Sequence, residues 1–146
     1  MRRCWRRFAV WPADFPSASR PFGLELRVQD LELELSFWRD LLGLNQRGRE
    51  AGQVWLAPAQ GGMELILSHF PKARLSPSGS AGLYHLALLV PSREALGKIL
   101  IHLAQAKTKF VGFADHWVSE ALYLQDPEGN GLEVYRDRPR SPSGAI

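Results

Sequence analysis

Two side chains in the second half of this chain have the chemistry and the setting of metal ligands. His85 opens the strand-like run His-Leu-Ala-Leu-Leu-Val, and Glu133 lies inside Leu-Glu-Val-Tyr, just beyond the turn Asp126-Pro127-Glu128-Gly129-Asn130-Gly131. Imidazole and carboxylate are the donors from which divalent sites are commonly built. Carried on strands and not on a loop, the two would be held rigidly, and if both face one hollow they make a metal-centred site on a curved sheet.

The elements that must position them follow from alternation and capping signals. Gly23-Leu24-Glu25-Leu26-Arg27-Val28 alternates as a half-buried strand does. Asp30 then stands as an N-cap, and Leu31, Leu35, Trp38 and Leu42 line one face of a helix that stops at Gly43. Strand-like pieces follow near Gln53–Leu56 and Met63–Leu67, separated by the turn-prone Pro58-Ala59-Gln60-Gly61-Gly62. Residues 71–82 are rich in Pro, Ser and Gly and read as a linker.

The second half repeats this order. Tyr84–Val90 is strand-like, Ser92 caps a helix with the apolar stripe Leu96, Ile99, Leu100 and Leu103, and Val118–Leu124 and Leu132–Tyr135 flank the turn. Placing Gly23 over His85 aligns Leu24 with Leu86, Leu26 with Leu88 and Val28 with Val90; at the far end Glu64 falls over Glu133. The expected architecture is α+β: two βαβββ modules, near residues 22–70 and 83–136, whose curved mixed sheets surround an open cavity. Period 2 sends Leu86, Leu88, Val90, Leu132 and Val134 toward the helices. It leaves His85, Glu133, Tyr135, Tyr123 and Ala121 on the other side.

Charge and composition narrow the classes. Of the net charge of +3, residues 1–21 hold five arginines against Asp14, so the remainder sums to −1. The basic character belongs to a tail, expected to be disordered or partly ordered, with a second short tail at 141–146. A nucleic-acid binder would carry its basic face on the fold. The single cysteine, Cys4, forbids an intramolecular disulfide and suits a reducing, cytoplasmic setting. No apolar run approaches the ~20 residues of a membrane span.

The run GLYHLALLVPSR followed by DHWVSEALYLQDPEGNGLEVYRDRPR resembles the vicinal oxygen chelate superfamily of glyoxalases, bleomycin-resistance proteins and type I extradiol dioxygenases. The resemblance spans about residues 22–140 and is strongest to the N-terminal domains of catechol-2,3-dioxygenase-like members. It implies the glyoxalase/bleomycin resistance/dioxygenase fold, a small-molecule substrate with vicinal oxygens and a homodimer. The dioxygenase pattern puts ligands at His85 and Glu133, with the third falling on Gly23, which has no side chain. The glyoxalase pattern adds Glu64, so that His85, Glu133 and Glu64 would hold Fe, Mn, Zn, Ni or Mg. Tyr123 matches a substrate-binding tyrosine, and His116 lies near an acid-base histidine, although its spacing to Tyr123 is not the family's.

Plainer readings stand beside these. His85 and Glu133 could be a relic pair bonded to each other, Glu64 a solvated cavity-mouth residue, and His116 a structural histidine. Glu25 reads as a surface residue or as a substitute ligand on the Gly23 side, His69 as packed or exposed, and His102 as a surface residue. Trp38 reads as core; Trp55 and Trp117 read as core or as walls for an aromatic ligand. Trp5 and Trp11, in the tail, would bury against a second subunit. Three hypotheses result: a metal-dependent lyase, isomerase or dioxygenase; a non-catalytic binder of a planar ligand; and a subunit whose partner supplies the missing ligand.

Overall fold

The computed structural model describes residues 23–59, 62–73 and 82–139, so the expectations for the basic tail, Cys4, Trp5, Trp11, most of the linker and the C-terminal tail lie outside the described residues. Each half folds as one βαβββ module. The first comprises β1 (Gly23–Val28), α1 (Leu31–Leu35) continued by a π-helical turn (Ser36–Leu41), β2 (Asn45–Glu50), β3 (Gln53–Ala57) and β4 (Glu64–His69). The second comprises β5 (Leu86–Leu89), α2 (Arg93–Gln105), β6 (Phe110–Asp115), β7 (Ser119–Gln125) and β8 (Gly131–Asp137). The two four-stranded sheets have the matching orders β1-β4-β3-β2 and β5-β8-β7-β6, each with one parallel pair and two antiparallel pairs. Among the described residues no helix is long and apolar enough to cross a membrane.

Both helix starts form as their caps dictate. Asp30 is extended and its Oδ1 accepts the Leu33 N–H at 3.0 Å; the Ser92 hydroxyl accepts the Ala95 N–H at 3.2 Å. Replacing Asp30 by alanine orphans that N–H and is expected to lower stability by about 1 kcal/mol in urea denaturation. The first helix then widens: the Leu42 N–H reaches the Phe37 carbonyl, five residues back, and the chain leaves through Gly43 at φ +77°. That wide turn buries two adjacent rings, Phe37 and Trp38, edge to face at 5.2 Å.

Leu26, Val28, Leu65, Leu67, Leu122, Leu124, Leu132 and Val134 point inward from the strands and join Leu31, Leu35, Trp38, Leu96 and Leu103 of the helices in one continuous core spanning both modules. The packing faces are therefore those the alternation assigns. One strand carries no such signal: β2, Asn-Gln-Arg-Gly-Arg-Glu, is an exposed polar edge. β6 alternates in burial, but its pairing with β7 shifts in register between Phe110 and Gly112. The reading of Trp117 as core or pocket wall is overturned, because its side chain is 98% exposed beyond β6. Trp55 is half-buried on β3, and Glu25, His69 and His102 are exposed.

The registers correct the alignment of the two halves. Each sheet has a register shift just before a glycine, with Arg47 skipped before Gly48 in β2 and Val111 skipped before Gly112 in β6. Through those glycines the rung Gly48–Trp55–Ile66–Glu25 superposes on Gly112–Tyr123–Glu133–Ala87. Gly23 is the counterpart of His85, as the sequence suggests. The counterpart of Glu133 is Ile66, and Glu64 corresponds to Gly131. A two-residue offset preserves strand parity, so alternation by itself does not detect the error.

Candidate functional site

The face of the second sheet turned away from the helices brings His85, Tyr123 and Glu133 together. Tyr123 and Glu133 are direct cross-strand partners on β7 and β8. His85 lies one residue before β5 and not inside a strand, at the level of Gly131, where the glycine leaves room for its Cα and Cβ. The Tyr123 hydroxyl donates to Glu133 Oε1 at 2.9 Å, and His85 Nε2 lies 2.9 Å from Glu133 Oε2. Both carboxylate oxygens are thus engaged, one by a phenol and one by an imidazole. The His85 and Glu133 side chains retain 28% and 15% of their exposure, so the cluster is open to a small molecule from one side.

Aromatic rings frame the pair. The His85 and Tyr123 rings meet at 6.2 Å between centroids, and the exposed Tyr84 ring lies 5.0 Å from His85. Burial, then the hydrogen bond to Glu133, push the Tyr123 phenol up to about 12. At neutral pH it is therefore a hydrogen-bond donor that fixes the carboxylate and not a base.

The other expected residues lie elsewhere. Glu64 is half-buried on β4, paired with Gly23. Among the described residues no group of three or more His, Cys, Asp or Glu side chains converges to hold a metal ion, so Glu64 does not join His85 and Glu133. His116 is exposed in the β6–β7 hairpin, its N–H bonded to the Ser119 carbonyl. The Asp115–Glu120 rung beside it is three rungs, roughly 10 Å, from Tyr123. At Gly23 an added Cβ would meet the Glu64 carbonyl oxygen at 2.9 Å, so this backbone leaves no room for a side chain at the third ligand position.

His85 and Glu133 are two donors of the kinds that hold divalent cations, here in direct contact with each other. Two atoms each ~2.1 Å from one ion and at right angles to each other are about 3.0 Å apart, which matches the separation of His85 Nε2 and Glu133 Oε2. In the first module the corresponding residues are Gly23, Trp55 and Ile66, which offer no donor side chain except an indole N–H.

Sequence reasoning missed Glu34. It is fully buried in α1, accepting from the Trp38 indole at 2.8 Å and from the Glu128 N–H at 3.1 Å. Glu128 in turn accepts the Gln29 and Asp30 N–H groups, while Asp126 accepts from the backbone of Glu128 and Asn130. The turn that delivers Glu133 is thus anchored to the first module. The only signal was an acidic residue at i−4 from a tryptophan, on the helix's apolar side.

The chain is similar to known proteins in both sequence and fold. Residues 22–134 match the family model described as Glyoxalase/Bleomycin resistance protein/Dioxygenase superfamily. Over 118 residues the chain is 42% identical to the catechol-2,3-dioxygenase of Bacillus subtilis (strain 168), covering 80% of this chain and 41% of that protein; it spans about two fifths of that relative's length. Solved structures share the fold, two of them as follows. A glyoxylase/bleomycin resistance protein/dioxygenase domain from Frankia sp. EAN1pec superposes with a TM-score of 0.73 at 22% identity, covering 86% of this chain and 96% of that one. A glyoxalase/dioxygenase from Nostoc punctiforme gives 0.71 at 18% identity, covering 82% and 92%.

Proposed function

Because the chain belongs to the glyoxalase/bleomycin resistance protein/dioxygenase superfamily, we propose that its His85–Glu133–Tyr123 cluster binds a small molecule with adjacent oxygens, of catechol type, beside a divalent cation. The observation that carries this reading is the 2.9 Å separation of His85 Nε2 and Glu133 Oε2, together with the Tyr123 hydroxyl bond that leaves Oε2 facing the imidazole. His85 and Glu133 would hold the cation at two adjacent corners. Bound there, it would supply Lewis-acid polarisation of the two ligand oxygens.

The chain's own residues do the rest. Tyr123, protonated at neutral pH, orients the carboxylate and offers its hydroxyl oxygen as an acceptor for a ligand O–H. The rings of Tyr84 and His85 offer edges and faces to an aromatic ligand. The likeness to a catechol-2,3-dioxygenase favours an aromatic diol over a thiohemiacetal.

The test is titration of 4-nitrocatechol, followed by its visible spectrum, in the presence of Mn²⁺ and then with EDTA. Wild type is expected to bind in a metal-dependent manner. His85→Ala and Glu133→Gln are each expected to weaken metal-supported binding by about 10- to 100-fold. Equal binding by wild type and both variants, with or without EDTA, would overturn the ligand assignment.

A second reading, a binder without catalysis, is favoured by the Gly23–Trp55–Ile66 set, which replaces donors with apolar surface in the first module. It expects 4-nitrocatechol binding that survives chelation, and no oxygen uptake when the chain is supplied with Fe²⁺ and catechol.

A further inference from the structure

The geometry points to a second small-molecule site, in the apolar cavity between the two modules, for a neutral ligand with a hydrocarbon body and one hydroxyl or amide group. The cavity measures about 490 Å³, within the roughly 300–1,000 Å³ of pockets that hold drug-sized ligands. Leu42, Met63 and Leu65 wall it from the first module, and Leu88, Ile99 and His102 from the second.

It is separate from the His85–Glu133 cluster. None of His85, Tyr123 and Glu133 lines it; Leu86 and Val134 wall it from the side of the sheet opposite His85 and Glu133, and Ala87 and Leu89 reach it around the open edge of β5.

The ligand class follows from the walls. They contain no Asp, Glu, Lys or Arg, so a charged guest would lose its hydration without gaining a counter-charge. Two kinds of polar group remain. His102 Nε2 lies 2.9 Å from the Leu41 carbonyl oxygen. That carbonyl can only accept, so Nε2 is the donor in this contact, and in the Nε2–H tautomer Nδ1 is an acceptor.

The second polar feature is the free edge of β5. All five residues from Leu86 to Val90 line the cavity. The Val90 N–H is bonded to the Tyr135 carbonyl at 2.8 Å, so the backbone groups of Leu86, Leu88 and Val90 face β8. Those of Ala87 and Leu89 face away along the sheet edge, and among the described residues no strand pairs with them. An otherwise apolar hollow with one ring acceptor and a strand edge suits a guest that is mostly hydrocarbon and carries one donor–acceptor group.

The test uses three probes of one chain length: 1-octanol, octane and octanoate. Binding is followed by thermal shift and by perturbation of ¹H–¹³C methyl resonances. Saturable octanol binding is expected. Octane is expected to bind several-fold more weakly, and octanoate at least about tenfold more weakly because its charge would be buried unpaired. Ile99→Trp, and separately Leu88→Phe, should fill the hollow and weaken octanol binding by about tenfold or more while far-UV circular dichroism is retained. Chelation should leave octanol binding unchanged, which separates this proposal from the fate of the His85–Glu133 reading.

The proposal is overturned if octanol fails to saturate, if octanoate binds as well as octanol, or if a folded filling variant binds like wild type. It is equally overturned if light scattering shows a dimer that dissociates in the filling variants, because the hollow would then be an interface between copies.

Discussion

Replacing Glu34 by alanine is expected to destabilise the chain by about 3 kcal/mol, measured by urea denaturation at pH 6, because it opens a cavity and strands the buried Trp38 indole N–H, while the Glu128 N–H keeps only Asp126 as its acceptor. The Trp38 indole and the Glu128 N–H both donate to this carboxyl, which is fully buried where the first helix meets the β7–β8 turn. Glu34→Gln keeps the volume and one acceptor oxygen, so its cost at pH 6 should be smaller.

The two variants separate further with pH. Burial first, and then the neighbouring Asp126 carboxylate, push Glu34 up to about 8 from an ordinary 4.5. The folded state therefore holds a proton that the unfolded chain releases from about pH 4.5 upward. Wild-type stability should fall as pH rises from about 5 to 8, by up to about 1.4 kcal/mol per unit, and level off above. Asp126 is also raised by burial, and its contribution has the same sign; Glu120, held low beside Arg136, contributes the opposite sign near its own titration. Both persist in Glu34→Gln, so the difference between variant and wild type isolates Glu34. Parallel pH profiles for the two proteins would sink the assignment.

Gly131→Ala is the second large effect. A Cβ at this position would press on the Tyr84 carbonyl oxygen well inside contact distance, and would lie 3.1 Å from the His85 Cβ. Backbone has to move, and it is the backbone that holds His85 beside Glu133. A loss of about 3 kcal/mol is expected, together with weaker 4-nitrocatechol binding. Gly43→Ala is the control. Its φ of +77° is unfavourable for alanine, but nothing lies within 4 Å of the added carbon, so it should cost only about 1 kcal/mol. Equal losses for the two variants would mean that the close approach to Tyr84 does not limit Gly131.

The family resemblance was legible because it rests on local rules. Leu24, Leu26 and Val28, and again Leu86, Leu88 and Val90, alternate; Asp30 and Ser92 cap; Gly43 terminates. Tyr123 and Glu133 face the same way because both strands keep period 2 on either side of a six-residue turn. What escaped was whatever depends on register. β2 is so polar and exposed that no apolar pattern marks it, and the register shift of β6 against β7 does not show in its alternation. Without those strands the halves could be slid by two residues with no penalty in parity, which is how Glu64 came to stand over Glu133 when Ile66 belongs there.

Residue types and their spacing thus determined the two-module plan and the presence of an imidazole and a carboxylate on one face of the second sheet. Only the tertiary structure decided that these two touch, that Glu64 and His116 stay away from them, and that a buried Glu34 ties the modules together. The reason is physical: alternation constrains which face a side chain takes, whereas distance along a strand is set by hydrogen-bond register and by packing between segments far apart in the chain.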